Sequence, residues 1–397
     1  MSGETTSAVA EVFAPVVGLR TETLRDAHGF VSCWDKIEQL RRAVGLEDDV
    51  LLSPLHFLAA TGNTRQSCSV ACWQGEALIG LTYATEHRIR GARTGYAVGG
   101  DYMGRGLLLC KAEYEAAVIA ASIQHMAAHG IHSIHLRLIP RDASIPLLPG
   151  LNIRCLDGLV PGDRMLLAAD FNEFLATLGR HTRRNVRNYM RKAERAGIRF
   201  VSSMTQREYQ AAVDRMNGKA AFRLDAVRLE RDERLLALHS GARRFGLRSA
   251  DGHFVAVLCG FTQSNRFHLL TQLNDVHLEH LSLSLVLRGH TVAHLIECGH
   301  TSLQFMGGAS LSLGRFCIPQ RYRSIFADKT RGGAAAVKRL GCKAVELSTF
   351  VRRPVPETLR NICNGRLDEG QLVRRTALGH AALVFPVGES VDDGRNH

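Results

Sequence analysis

The chain lacks a CxxC pair, an HExxH helix, a GxSxG elbow and any apolar run near the ~18 residues of a membrane span. These absences argue against a redox dithiol, a zinc hydrolase of that type, a serine acyl-enzyme and a bilayer-spanning helix. Ten cysteines are scattered at positions 33, 68, 72, 110, 155, 259, 298, 317, 342 and 363, several inside apolar runs. They read as reduced core thiols of a cytoplasmic protein, forming neither a disulfide frame nor a zinc site. His277 and His280 have no third ligand at a recognisable spacing, so no metal is expected. The first 18 residues carry Glu4 and Glu11 and no basic segment, which does not read as a signal peptide. Aromatics are sparse at 6%, and no carbohydrate-stacking platform stands out. Acids are also in short supply, with 38 against 50 Lys and Arg, leaving +12 and a pI near 9.5. That balance favours polyanionic partners such as nucleic acid, phosphorylated cosubstrates or an anionic surface.

With 397 residues, 45% hydrophobic and 22% charged, the chain has the composition of a packed protein of two to three domains. One order of elements occurs twice. In the first half, β-rich runs at 69–73 and 77–87 flank the turn at Gly75. A strand at 95–98 leads into a glycine-rich stretch, 99–106, and a helix is expected from Leu107 to His129, closed by Gly130, before a β run at 131–139. The second half repeats it with strands at 245–249 and 254–263 around Gly252, a strand at 267–273 and a polar loop at 274–280. A helix at about 281–298 follows, closed by Gly299, then a strand at 301–306. Matched landmarks at nearly one offset point to duplicated units.

Between the halves lies a basic block. Residues 180–197 are helical by propensity and end on a glycine. Val186, Met190 and Ala193 share one face, and Arg180, Arg184, Arg187, Arg191 and Arg195 form a stripe on the other. From 180 to 199 there are eight Arg or Lys and a single acid. A merely solvated helix interleaves acids for i,i+4 support, whereas this one accepts mutual repulsion, so a polyanion-binding face is expected.

The order hairpin, strand, loop, helix, strand resembles the core of the GNAT acyltransferase fold, here in tandem. Residues 178–198 resemble the basic helix opening the second half of Fem-type and cellulose-biosynthesis-type (BioF2-like) acetyltransferases. Phe305-Met-Gly-Gly308 and the run Leu313–Arg323 resemble that group's closing strand, glycine pair and basic, aromatic tail. The resemblance implies an α/β (α+β) protein of two GNAT-like domains, each a mixed, mostly antiparallel sheet flanked by helices. Its parts would be a loosely docked N-terminus (1–29), domains at 30–165 and 166–350, and an extension at 351–397.

It also implies an acyl-CoA donor whose diphosphate sits at a helix N-terminus. In the first half the candidates are Gly100, Gly104, Arg105 and Gly106, although Asp101 stands where that group's pattern has Gln or Arg. In the second they are Leu273, Asn274, Ser282, Ser284, Gly307, Gly308 and Arg315, without the pattern's glycines. Ser282 and Ser284 fit a helix cap as well as a phosphate donor. Which half holds the donor stays open.

Acyl transfer needs a free amine, a donor to the carbonyl oxygen and a proton for the leaving group. Direct attack by a small-molecule or peptide amine in a ternary complex is expected, with Asp101 and Gln272 as base or water-orienting groups and Tyr322 as acid. An aminoacyl-tRNA donor is the alternative, and a non-catalytic RNA or anionic-surface binder the second alternative.

Overall fold

A computed structural model describes residues 18–61, 65–89, 91–101, 106–138, 147–160, 162–218, 224, 226–306 and 314–330. In chain order the first elements are β1 (Arg20–Leu24), α1 (Ala27–Ser32), α2 (Trp34–Ala43), α3 (Pro54–Thr61), β2 (Arg65–Ser67) and β3 (Ser69–Gln74). Then come β4 (Ala77–Thr82), β5 (Ala84–Ile89), β6 (Ala92–Gly99), β7 (Leu108–Cys110), α4 (Glu115–Ala128), β8 (Ser133–Leu138) and β9 (Leu151–Val160). The second half supplies β10 (Arg164–Leu166), α5 (Phe171–Thr177), α6 (Arg180–Arg195), β11 (Arg199–Val201), α7 (Gln206–Asn217) and α8 (Ala226–Leu238). It continues through β12 (Ala242–Arg248), β13 (Phe254–Gln263), β14 (Arg266–Asn274), α9 (Leu283–Glu297), β15 (Ser302–Phe305) and β16 (Gln320–Lys329). Among the described residues no helix is long and apolar enough to cross a membrane.

Two compact units emerge. One holds the described residues up to 156 with those from 323 to 330, and the other holds 157–322. Each contains an antiparallel meander whose last strand pairs in parallel with the strand beyond a helix. In the first unit the strands run β1-β3-β4-β7 and β2-β5-β6-β8-β16-β9, with β6 and β8 parallel. In the second the order is β10-β15-β14-β13-β12-β11, with β14 and β15 parallel. The repeat landmarks hold. Gly75 and Gly252 take left-handed backbone in their hairpin turns, and Gly130 and Gly299 do so just past α4 and α9.

One expectation fails. The helix expected from Leu107 begins only at Glu115, because Leu108–Cys110 is a strand paired with β4. An apolar run of four fits a buried strand as well as a helix, and the deciding partner is distant in sequence. In the second half the polar loop forms a 3-10 turn, Val276–Leu281, leading directly to α9. β1 begins at Arg20 and pairs with β3, inside the stretch expected to be loosely docked. The expected 351–397 extension lies outside the described residues.

The second unit's core is built on Phe245 and Phe267, both fully buried, with ring centroids 5.6 Å apart in an edge-to-face arrangement. α6 buries Val186 and Ala193 in that core, with Met190 packed against it. Gly260 on β13 must remain glycine for a similar reason of space. A Cβ there would lie 2.2 Å from the His268 carbonyl oxygen and 2.6 Å from Phe267 Cζ. Backbone cannot rotate aside, so Gly260→Ala is expected to lose about 1–3 kcal/mol, read as a lower urea midpoint at unchanged slope.

Candidate functional site

The functional geometry of the second unit begins where β14 loses a neighbour. β15 pairs with β14 from Arg266 to Leu269, and the Met306 amide closes the ladder on the Leu269 carbonyl at 2.9 Å. From Leu270 to Asn274, β14 keeps β13 on one side and, among the described residues, has no strand on the other. The register with β13 slips by one at this point. Cys259 faces Thr271 and Gly260 faces Leu269, so Leu270 is an extra, bulged residue. Bulges re-aim backbone groups and gather beside active sites.

The chain then turns into α9 through an unusual cap. Ser282 has φ of +48°, a conformation that costs a non-glycine residue about 1–3 kcal/mol, and its side chain makes no capping bond. The first intrahelical bonds run from the amides of Leu285 and Val286 to the Ser282 carbonyl. The amides of Leu283 and Ser284 therefore have no acceptor among the described residues. They present two donors at the positive end of the helix dipole.

Gln272 ties this end together. Its Nε2 donates to the Ser284 carbonyl at 3.2 Å and to Asn274 Oδ1 at 3.1 Å, and its Oε1 accepts from Arg288 Nε at 2.7 Å. Arg288 stands one turn along α9 from Ser284, and burial of its head pushes its pKa down to about 9. It is still a cation at neutral pH. Lys192 of α6 donates to the His280 carbonyl at 3.0 Å, adding a second cation near the helix start.

The counterpart in the first unit is described only at its two ends, residues 102–105 lying outside the described residues. The chain leaves β6 at Gly99, where a Cβ would meet Leu107 Cδ1 at 2.3 Å and Leu136 Cδ2 at 3.0 Å. Gly100 and Gly106 are both left-handed, but Gly106 makes room for the chain's own backbone, since a Cβ would lie 1.9 Å from the Leu51 carbonyl oxygen. The segment feeds a strand, and α4 starts with its own buried carboxylate, Glu115, in the first turn. Asp101 is 2% exposed, with Oδ2 3.7 Å from Nε2 of the fully buried His56.

Of the residues singled out from sequence, Gln272, Leu273, Asn274, Ser282 and Ser284 thus gather at one end of the second unit, while Gly100, Asp101 and Gly106 belong to the first. Arg315 donates to Thr182 Oγ1 at 3.0 Å, near the start of α6. Gly104, Arg105, Gly307 and Gly308 lie outside the described residues, as does the side chain of Tyr322, whose backbone is in β16.

Arg180, Arg184, Arg187, Arg191 and Arg195 are all exposed on α6, and among the described residues none is within ion-pair distance of an acid. Arg187 reaches Asn172 Oδ1 at 3.2 Å, and Arg191 reaches the Arg187 carbonyl at 3.3 Å.

Sequence reasoning missed Arg288, although a lone arginine in the apolar helix LSLVLRGHTVAHLIE is a signal in itself. It also missed Asp232, a charge one turn before Leu235 and Leu236 on the buried face of α8.

Residues 180–316 match the family model for the acetyltransferase (GNAT) domain. No curated protein matches the chain by sequence. Among solved structures the chain is similar to FemX at 10% identity, over 65% of this chain and 83% of that one, with a TM-score of 0.42. It is similar to L-PGS from Bacillus licheniformis at 13% identity, over 76% and 94%, with a TM-score of 0.43. A tandem GNAT protein from the clavulanic acid biosynthesis pathway gives 13% identity over 79% and 99%, with a TM-score of 0.45.

Proposed function

We propose, from the match of residues 180–316 to the acetyltransferase (GNAT) domain model, that the chain moves an acyl group from an acyl-CoA to an amine, and that its second unit holds the donor. One observation carries this reading: in that unit a strand opening, a backbone bulge and an uncapped helix end meet within a few residues, while Gly99, at the equivalent strand end of the first unit, is packed against leucine.

The residues present fit such a donor. The amides of Leu283 and Ser284 would receive the diphosphate, with Arg288 and Lys192 as nearby cations. The edge of β14 from Leu270 to Asn274, which has no strand beside it among the described residues, would take the extended arm as an added strand does, by backbone bonds. When bound, a thioester supplies an activated acyl carbon: the amine's lone pair forms the C–N bond, the C–S bond breaks, and the amine's proton leaves with the thiol. Gln272 acts in this reading as a clamp that holds β14 to α9, because both ends of its amide are already engaged within the unit.

A ligand that binds only the folded chain stabilises it by about 2.7 kcal/mol at a hundredfold excess over its Kd. Acetyl-CoA is therefore expected to raise the melting temperature of the full chain by several degrees, and AMP alone much less. No shift with acetyl-CoA or longer acyl-CoAs at millimolar concentration would sink the proposal.

The arginine stripe of α6 favours a second reading, in which the donor is an aminoacyl-tRNA whose backbone lies along that helix. The same β14 edge and α9 terminus would then serve the activated end.

A further inference from the structure

Beside the β14 bulge lies a buried polar network that the donor site does not use. Asp232 on α8 is 2% exposed, Arg231 3% and Thr271 1%. The Thr271 hydroxyl donates to Asp232 Oδ2 at 2.6 Å, and Arg231 Nε donates to Asp232 Oδ1 at 3.0 Å. Arg228 Nε reaches the Thr271 hydroxyl oxygen at 3.3 Å. Cys259 faces Thr271 across the ladder, and its thiol receives the hydroxyl of Tyr209 at 3.1 Å.

Thr271 is thus held through its hydroxyl by two side chains, and it is the residue immediately after the bulged Leu270. Stability does not explain this arrangement. A buried ion pair contributes little net stability, and apolar replacements are often neutral or better. A bulge, by contrast, is a deformable point in a ladder, and here it sits where β15 stops pairing. The buried Asp232, itself held by Arg231, is bonded to the next residue and removes that freedom.

We propose that Asp232 is a positioning residue which, acting through Thr271, fixes the Leu270 bulge so that the free edge of β14 meets the acyl carbonyl in one geometry. The inference rests on the donor site proposed above and adds to it the group that distinguishes an acylated donor from a spent one. Pre-set donors at a carbonyl act without reorganisation, which is why a rigid bulge matters more than a merely available amide.

The test is calorimetric titration of the full chain with CoA and with acetyl-CoA. A single fixed hydrogen bond to the carbonyl predicts that the parent prefers acetyl-CoA by about three- to tenfold. Thr271→Val, which keeps the shape and loses the hydroxyl, should abolish the preference by bringing acetyl-CoA affinity down to that of CoA, and any effect on the arm that both ligands share cancels in their ratio. Thr271→Ser, which keeps the hydroxyl, should retain it. Asp232→Asn should behave like Thr271→Val, and the threonine pair decides the matter if that variant does not fold. Equal affinity of the parent for the two ligands, or a preference that survives Thr271→Val, would overturn the role of the network while leaving the donor site standing. If neither ligand binds the parent, the donor site itself is wrong.

Discussion

Ser284→Asp is expected to remove donor binding without weakening the fold. Ser284 is the second residue of α9, it is partly exposed, and its side chain makes no bond among the described residues. A carboxylate there is favourable for the helix by about 0.3–1 kcal/mol, because it faces the positive end of the dipole. For an arriving diphosphate the same carboxylate is a like charge within a few ångströms, worth about 3 kcal/mol at the effective dielectric of a protein surface, or roughly a hundredfold in affinity. The melting temperature without ligand should therefore stay level or rise slightly, while the shift produced by acetyl-CoA disappears. A variant that melts early says nothing of the kind and would point to a structural role for the hydroxyl. A variant that melts normally and binds acetyl-CoA as the parent does would remove α9 from the donor site.

The second large effect concerns salt. If all five arginines of the α6 stripe contact phosphates, the logarithm of affinity for duplex nucleic acid falls with a slope near −4.5 against the logarithm of salt. Between 50 and 200 mM that is a loss of about 500-fold. Binding of tRNA by the full chain should show this steepness, and reversing Arg187 and Arg191 to Glu should flatten the slope by about two and weaken binding at every salt concentration. Acetyl-CoA binding should barely respond to the same reversals, because Arg187 and Arg191 are exposed and among the described residues bond only to Asn172 and to the Arg187 carbonyl, away from the α9 start. A flat salt profile, or acetyl-CoA affinity that falls with tRNA affinity, would rule out a separate polyanion face. Both arginines point away from the core formed by Val186 and Ala193, so the reversals should leave the fold unchanged.

How far the sequence carried these conclusions can be judged residue by residue. The α6 helix was legible in full, since its charge stripe and its apolar positions obey one period, and Val186 and Ala193 are buried as that period requires. The duplication was legible because hairpin turns and helix ends each call for a residue that tolerates left-handed backbone, and glycine marks them in both halves. Strand β7 was not legible. Leu108–Cys110 is decided by pairing with β4, some thirty residues earlier, and a run of three apolar residues carries no period. The same non-local cause hid the bulge at Leu270, which exists only as a mismatch between two strands. It also hid the membership of β10 and β16 in their sheets, since each joins a neighbour distant in sequence. At the site, sequence chemistry found the residues of the β14 and α9 junction but could not choose between the two halves. Glycines in the first half suggested room for a phosphate; at Gly99 and Gly106 they stand close to Leu107, Leu136 and the Leu51 backbone, and Gly104 lies outside the described residues. The second half has no such glycines, and its free amides come instead from an uncapped serine in a left-handed conformation.

The decisive measurement is the stoichiometry of acetyl-CoA binding to the full chain by titration calorimetry, run in parallel on the parent and on Ser284→Asp. One molecule per chain for the parent and none for the variant is the result that a single donor site at the start of α9 requires. Two molecules per chain, or one molecule that the variant still binds, would mean that the first unit accepts the donor and that the assignment to the second unit alone is wrong.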